Sequence, residues 1–326
     1  ATPPVTTYNN WISSNLIGLT VNQTPLPNTG DGVSIGIYGT PLSPPYYKGG
    51  YATDNMVNLN VIAYNGRNGV MVWEHMSSST NADRNQITQN SIYDNTLLGI
   101  DLDNDGVTPN DGADPDNRAN QALNFPIIVG ASYNPVTGST SVSGYIDIDT
   151  DPTQAVVEVF KARIDPTGYG EGQVFLGTAT PDAGGNWCVT VTGLVTGDTV
   201  TSTTTDLNRN TSEFSGNMLV TQATGVSDGD INTPSRFTLC GNFPNPFSSY
   251  TLIRYSIAKT TGVSLRVYDA SGKLVRTLVD EIKKPAWYTV KWDGRDNSGR
   301  KVSSGVYFYR LKTRNFDRTR ELILIR

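Results

Sequence analysis

Histidine and cysteine are scarce in this sequence, which has one His and two Cys in 326 residues. A structural zinc site uses more ligands than His75, Cys188 and Cys240 can supply together. His75 has no serine or aspartate partner at a triad spacing, and the glycines do not follow the spacing of a phosphate-binding loop. These shortages argue against zinc-binding, triad-hydrolase and nucleotide-binding motifs.

Long apolar runs and helix signals are also missing. No stretch approaches the roughly 20 apolar residues of a membrane-spanning helix, and no basic-then-apolar signal peptide opens the chain. If the protein is exported, its signal has been removed or the chain is part of a longer one. In contrast, 32 Gly and 18 Pro occur, many of them beside Asn, Asp, Ser or Thr. Frequent turns between short strands predict an all-β fold.

An internal repeat occupies the first third of the chain. Segment 60–65 reads NVIAYN, segment 90–95 reads NSIYDN, and each precedes a short apolar run that starts with glycine. A weaker copy begins at Asn15. Self-similarity at a constant period predicts a solenoid of stacked β segments, and asparagine at the corners would tolerate a left-handed backbone. The predicted stacks are Asn60 over Asn90 and Asn65 over Asn95 as amide ladders, with Ile62 over Ile92 and Val70 over Ile100 inside.

The repeat resembles the right-handed parallel β-helix of pectate-lyase-like and NosD-like proteins. This resemblance assigns residues 1–119 to the end of such a β-helix, of which about three coils are visible. The first coil would leave unpaired backbone groups. Either further coils before residue 1 or another copy of the molecule would cover that end.

Residues 120–223 contain strand-like segments separated by turn residues, which is typical of a β-sandwich. They resemble bacterial Ig-like modules, and the Thr- and Ser-rich strands suit a solvated face. Residues 224–234 form a polar linker, and residues 235–326 form a second predicted Ig-like sandwich, in which Tyr288, Val290 and Trp292 alternate on a buried face.

The last predicted domain resembles the C-terminal sorting domain of proteins exported by the bacterial type IX secretion system, and the related Ig-like module of flagellar hook-capping proteins. The resemblance implies a domain for export and anchoring rather than catalysis. The matching residues are Asn242, Pro244, Asn245, Pro246 and Phe247, then Trp292, Asp293, Gly294 and Arg295, and finally Ser304, Gly305, Val306 and Tyr307.

Charge is distributed unequally along the chain. Residues 1–232 contain 7 Lys+Arg and 23 Asp+Glu, a balance of −16, whereas residues 233–326 contain 18 and 7, a balance of +11. Unequal halves suggest separate roles. A basic end would suit secretion machinery or an anionic surface polysaccharide; no motif for nucleic acid accompanies it.

Six carboxylates crowd the segment 101–117, DLDNDGVTPNDGADPDN. Because Ca²⁺ prefers carboxylate and carbonyl oxygens, a loop-type calcium site is one interpretation. The EF-hand pattern is rejected because its closing Glu is replaced by Gly112, and a solvated acidic turn is the alternative. The candidate ligands are Asp101, Asp103, Asp105, Asp111, Asp114 and Asp116.

The same carboxylates, with Asp83, Arg84 and Asp94, are the candidates for a polysaccharide lyase or glycoside hydrolase of the β-helix type. The acidic run lies where the coils end rather than along their face, which disfavours this hypothesis. A sugar-stacking platform of Trp11, Trp73 and Tyr46–Tyr47 is a further alternative to a core role for these aromatic residues.

Cys188 and Cys240 allow one disulfide in an oxidising exterior, which would tie the middle domain to the last. Alternation with Trp187 and Val189 predicts an outward-facing Cys188. The sequence leaves the pairing open.

These observations predict an all-β protein, made of the end of a right-handed parallel β-helix and two Ig-like β-sandwiches. The leading hypothesis is a non-enzymatic, secreted cell-surface protein with a structural or adhesive role. A filament subunit that assembles head to tail is the second hypothesis, and the polysaccharide-cleaving enzyme is the third.

Overall fold

A computed structural model describes residues 5–36, 50–74, 80–115, 118–223, 234 and 236–326. Within these residues the secondary structure is β, apart from two short 3₁₀ helices at Ala119–Ala122 and Pro152–Gln154. The described part of the chain has no helix with the length and apolar composition that a membrane span requires. The all-β prediction is confirmed.

The chain divides into two compact units, residues 1–187 with 191–222, and residues 188–190 with 223–326. The stacked repeats and the first sandwich, which the sequence assigned to separate domains, therefore belong to one unit. The predicted linker falls almost entirely outside the described residues.

The repeats form four ladders of three strands each, and every ladder is parallel. The ladder orders are β1-β5-β9, β10-β6-β2, β11-β7-β3 and β12-β8-β4. The strands are β1 Val5–Tyr8, β2 Trp11–Ser13, β3 Leu16–Ile17, β4 Val33–Gly36, β5 Gly50–Thr53, β6 Met56–Asn58, β7 Val61–Ala63, β8 Val70–Trp73, β9 Thr80–Asn81, β10 Gln86–Thr88, β11 Ser91–Tyr93 and β12 Ile100–Leu102.

The predicted register of the repeat is observed. Ile62 pairs with Ile92 and Val70 with Ile100, and all four side chains are buried. Asn60 donates through its backbone N and its Nδ2 to Asn90 Oδ1, both at 3.0 Å. Since each stacked asparagine offers the same acceptor to the asparagine before it, one residue type satisfies several buried backbone groups.

The corners of the repeats differ from the prediction. The residue before each ladder asparagine adopts the left-handed conformation, with φ of 57° at Leu59, 59° at Tyr64, 51° at Gln89 and 54° at Asp94. This conformation costs roughly 1 kcal/mol at a non-glycine residue. It turns the chain immediately before the asparagine, whose side chain is then buried in the ladder.

The first sandwich consists of two four-stranded sheets, ordered β17-β14-β13-β20 and β16-β15-β18-β19. The prediction of a solvated Thr-rich strand is wrong for residues 201–205, which are all buried. Segment 211–215 covers them, since Ser202 N donates to Ser215 Oγ at 3.0 Å and Thr204 N donates to Ser212 Oγ at 2.9 Å. The strands are β13 Ile127–Asn134, β14 Ser139–Tyr145, β15 Val156–Arg163, β16 Glu171–Ala179, β17 Asn186–Val191, β18 Thr199–Thr205, β19 Met218–Leu219 and β20 Thr221–Gln222.

The second sandwich has sheets ordered β21-β22-β25 and β24-β23-β26-β27. Its core is rich in aromatic residues, with Trp292, Tyr255 and Tyr309 almost fully buried and Tyr288 and Val290 packed against them. The predicted alternation in β25 is therefore observed. The strands are β21 Thr238–Phe243, β22 Thr251–Ile257, β23 Thr261–Asp269, β24 Leu274–Lys283, β25 Ala286–Trp292, β26 Gly305–Lys312 and β27 Asp317–Leu324.

Candidate functional site

The last coil of the repeat ends against side chains of the first sandwich and its leading segment. We call this set, Asn120, Glu158, Glu171, Thr211 and Glu213, the coil cap. Glu171 Oε1 accepts from Asn95 N at 3.0 Å and from Asn95 Nδ2 at 2.8 Å. Asn65 gives the same pair of donors to Asn95 one repeat earlier, so Glu171 replaces the next asparagine of the ladder.

The other members of the coil cap accept from the last repeat in the same way. Asn85 N donates to Asn120 Oδ1 and Ile87 N to Thr211 Oγ1, both at 3.0 Å. Thr88 Oγ1 and Gln89 N donate to the Glu158 carboxylate. Leu102 N and Thr108 N donate to the Glu213 carboxylate. Backbone N–H groups that lack a following strand thus find side-chain acceptors.

Aromatic rings close the apolar interior at the same place. Phe160 and Phe214 belong to the core that contains Ile92 and Ile100, and their ring centroids lie 5.5 Å apart in an edge-to-face arrangement. A Cβ atom at Gly99 would lie 2.8 Å from the Phe214 ring. Glycine at this position therefore permits the close approach of the sandwich.

The three glutamates of the coil cap are held in a desolvated environment. Burial raises the pKa of Glu171 to about 7 and that of Glu213 to about 8, and it raises the pKa of Glu158. Their N–H and O–H donors favour the charged form and oppose this effect. Over the described ranges, none of the three carboxylates forms an ion pair within 4.0 Å.

The acidic segment does not gather into a metal site among the described residues. Asp103 and Asp105 both pair with Arg118, through Nε at 2.8 Å and through Nη2. Asp101 is buried, which raises its pKa to about 6, and Asp114 accepts from Asn124 N at 3.1 Å.

Two candidate ligands remain, Asp111 and Asp116. Asp111 is exposed, and Asp116 lies outside the described residues. The predicted grouping of carboxylates is thus replaced, where it is described, by pairing with an arginine. Calcium binding itself stays a prediction.

The candidate catalytic residues also have protein partners. Arg84 Nε pairs with Asp54 at 2.8 Å and Arg163 Nε with Asp94 at 2.8 Å, while Asp83 accepts from Gln121 Nε2 at 2.5 Å. Each of these contacts joins segments of the first unit, a role that needs no substrate. The enzyme hypothesis stays untested.

The aromatic residues of the suggested sugar platform are only partly described. Trp11 is 75% exposed and Trp73 is half-buried. His75 and Tyr46–Tyr47 lie outside the described residues.

The sorting-motif residues come together at the end of the last strand. Phe247 N donates to Ile323 O at 3.0 Å, and Ile325 N donates to Phe247 O at 2.8 Å. Asn245 Oδ1 accepts from Ile323 N at 2.8 Å. The segment NPF therefore pairs with the C-terminal residues; the Asn245–Pro246 peptide bond is cis.

An aromatic group joins the three parts of the motif. The Trp292 ring lies 5.6 Å from that of Phe247 and 5.4 Å from that of Tyr307, and Trp292 Nε1 donates to Arg295 O at 3.0 Å. Phe247 and Tyr307, which are 60 positions apart in the sequence, thus belong to one packed cluster.

Arg326 completes this end of the sandwich. Its Nη2 donates to Gly294 O at 2.8 Å, its Nη1 to Val302 O at 2.7 Å and its backbone N to Ser304 Oγ at 2.9 Å. Gly294 has φ of 66°, and a Cβ there would lie 2.7 Å from the guanidinium. Among the other motif residues, Asn242 Nδ2 donates to Thr251 Oγ1, which in turn donates to the Pro244 carbonyl. Asp293 forms an ion pair with Arg295, and Gly305 and Val306 are exposed.

Cys188 and Cys240 are joined by a disulfide, with their Cα atoms 5.2 Å apart. Both lie in the second unit as the contacts divide the chain. The expectation that Cys188 is exposed is wrong, because the bonded side chain is buried at 4% exposure. The bond closes a loop across a sequence separation of 52 residues.

Sequence reasoning missed the coil-cap glutamates and Arg326. A weak signal existed for Glu158, which interrupts the apolar strand 156–160, VVEVF. A carboxylate in such a strand is rarely buried without partners. Nothing in the local sequence marked Glu171, Glu213 or Arg326.

Residues 252–317 match the family of the FlgD Ig-like domain. An Ig-like domain is therefore present in this part of the chain. The match covers about a fifth of the residues and identifies one domain, not the whole protein.

Three solved structures are similar to part of this chain. Dimeric latent PorU from Porphyromonas gingivalis is 15% identical, with 63% of this chain and 20% of PorU covered and a TM-score of 0.27. PorZ, an essential surface component of the type IX secretion system of the same organism, is 12% identical, with 62% and 23% covered and a TM-score of 0.22. The CupB2 chaperone of Pseudomonas aeruginosa is 10% identical, with 61% and 100% covered and a TM-score of 0.20.

The chain spans about a fifth of the length of PorU and about a quarter of that of PorZ.

Proposed function

We propose that this chain is part of a secreted, non-enzymatic cell-surface protein with a structural or adhesive role. In this proposal the stacked repeats are the end of a right-handed parallel β-helix, and residues 235–326 direct export and anchoring. The partner of the last domain is secretion or anchoring machinery, or an anionic surface polysaccharide.

One observation carries the proposal. An Ig-like domain lies at residues 252–317, and the sorting-motif residues pack around the C-terminal strand end, with Arg326 holding three of its neighbours. A domain that holds the end of its last strand in a defined shape suits recognition by an export machine. Asp83, Arg84 and Asp94 each contact another residue of the first unit, which favours a structural role for them.

The export assay uses the full chain behind a cleavable signal peptide in a bacterium with a type IX system. We expect the protein at the cell surface, where external protease digests it. Arg326→Ala should reduce surface display, because it removes the two hydrogen bonds that the guanidinium donates to Gly294 O and Val302 O. Arg300→Ala is the matched control, since this arginine pairs with Asp296 within its own turn and its side chain is 80% exposed.

Retention of the unchanged protein in the periplasm would contradict the proposed function. Thermal unfolding of purified Arg326→Ala separates loss of recognition from loss of the fold. If the variant unfolds at the temperature of the unchanged protein yet is not displayed, the C-terminal end itself is the signal.

Charge asymmetry favours a second candidate, a filament subunit. The balance of −16 over residues 1–232 and +11 over residues 233–326 would favour contacts between unlike parts of neighbouring copies, and head-to-tail contacts that do not close give fibres. Electron microscopy at low and high salt tests this candidate. Polymers at low salt that dissociate at high salt are expected, and single particles under every condition would exclude it.

A further inference from the structure

The second sandwich contains a basic cavity that is formed by two turns and the segment before β21. None of the motif residues named above lines it. Its volume is about 360 Å³. The β22–β23 turn contributes Lys259, the β26–β27 turn contributes Arg314 and Asn315, and Phe237 forms one wall. Cavities of this size are large enough for a small ligand.

The charges around this cavity are of one sign. Its lining includes Lys259 and Arg314 and contains no carboxylate. Asp317, which follows the turn, is held by Arg310 in an ion pair. In the part of the chain that the structure describes, neither Lys259 nor Arg314 forms an ion pair. Two cations without a counterion favour an anionic ligand.

The polar groups between the cations are held in place. With the Asn315 amide turned to the orientation that satisfies both of its neighbours, Lys259 Nζ donates to Asn315 Oδ1 at 3.2 Å and Asn315 Nδ2 donates to Arg314 O at 3.2 Å. Thr313 is 8% exposed, and its Oγ1 accepts from Asn315 N at 3.3 Å. These bonds connect the two turns and limit the positions that the ammonium group can take.

The wall of the cavity is apolar on one side. Phe237 stacks on Phe316 with centroids 5.9 Å apart and an interplanar angle of 27°, so its ring is fixed. The remaining lining residues, Thr260 and Thr261, add hydroxyl groups. Cations, hydroxyl and amide groups beside an aromatic ring are the groups that bind a sugar bearing a tetrahedral oxyanion.

We infer that this cavity binds a phosphorylated or sulfated sugar unit. Lys259 and Arg314 bind the oxyanion, Asn315 and the threonines bind hydroxyl groups, and Phe237 packs against the ring. The inference rests on the proposed function only for the source of the sugar, an anionic surface polysaccharide. Binding itself is a property of the cavity.

Calorimetry on the full chain tests the inference with glucose 6-phosphate, glucose 6-sulfate, inorganic phosphate and glucose. We expect saturable binding of both charged sugars, weaker binding of inorganic phosphate and no measurable binding of glucose. The Lys259→Gln/Arg314→Gln double variant should bind the charged sugars at least about tenfold more weakly, because it removes two charge-assisted contacts. Lys273→Gln/Lys301→Gln is the control with the same change of charge, and we expect less than about a twofold effect.

No saturable binding of the charged sugars, or equal losses in both double variants, would overturn the inference. Binding of inorganic phosphate without any gain for the charged sugars would overturn its sugar part. The export assay is separate: sugar binding without surface display would contradict the proposed function and leave the cavity assignment standing.

Discussion

The two units bury their polar and apolar groups in different ways. In the first unit, stacked asparagines and the coil-cap glutamates satisfy backbone N–H groups around a core that is mostly aliphatic. In the second, a large aromatic cluster with Trp292 at one end holds strands from distant parts of the sequence. A repeat can reuse one hydrogen bond in every coil, whereas a single sandwich depends on a few large side chains.

The largest effect should come from Trp292→Ala. The side chain is 1% exposed, and truncating a buried aromatic residue costs about 3–5 kcal/mol. Hydrogen exchange read by mass spectrometry should show lost protection across β21–β27 and retained protection in β5–β12. Trp11→Ala is the control, because Trp11 is 75% exposed. Equal loss of protection in both units would remove the contrast between them.

A smaller effect is expected in the first unit from Glu171→Ala. It leaves the buried Asn95 N without its side-chain acceptor and removes one of the acceptors of Asn95 Nδ2, which still donates to Ile62 O, at a cost of about 1–3 kcal/mol. Glu171→Gln keeps an oxygen at the same position and should change the free energy of unfolding by less than about 1 kcal/mol. Urea unfolding measures both variants. A glutamine variant as unstable as the alanine variant would show that the charge, not the acceptor, closes the ladder.

The same carboxylate predicts a pH dependence. Its pKa is raised in the folded state from 4.5 to about 7, so folding favours the protonated form. The resulting stability is present below the unfolded value and is lost as the pH rises through about 7. We expect Glu171 to contribute about 1 kcal/mol to the gain in stability of the first unit between pH 8 and pH 6, so the gain should be smaller by about that amount in Glu171→Gln. A lower stability at pH 6 than at pH 8 in the unchanged protein would contradict this assignment.

The smallest effect is expected from calcium. Asp103 and Asp105 already pair with Arg118, which leaves few carboxylate oxygens for a cation. The melting temperatures with EGTA and with millimolar CaCl₂ should differ by less than about 2 °C. A larger rise with calcium, removed by Asp105→Asn, would support the calcium prediction. Asp182→Asn is the control at an acidic turn outside this segment.

Local rules predicted much of the first unit. The stacks of Ile62 on Ile92 and Asn60 on Asn90 follow from the period alone, because neighbouring repeats of a solenoid have equivalent environments. The backbone conformation of the corners could not be predicted from the period. The ladder asparagine must point its side chain inward, so the left-handed residue lies one position before it. In the second unit, alternation identified the buried face of β25 but not the neighbours of its side chains.

The sequence by itself determined the all-β class, the register of the repeat and the residues that form the motif of the last domain. The class and the register follow from composition and periodicity within a few tens of residues, and the motif residues follow from the resemblance to sorting domains. Only the tertiary structure decided that Glu171 ends a ladder 76 residues away, that Arg118 pairs with the acidic segment, and that Lys259 and Arg314 line one cavity. Such contacts join residues with no shared period, so their partners depend on how whole sheets pack rather than on the local sequence.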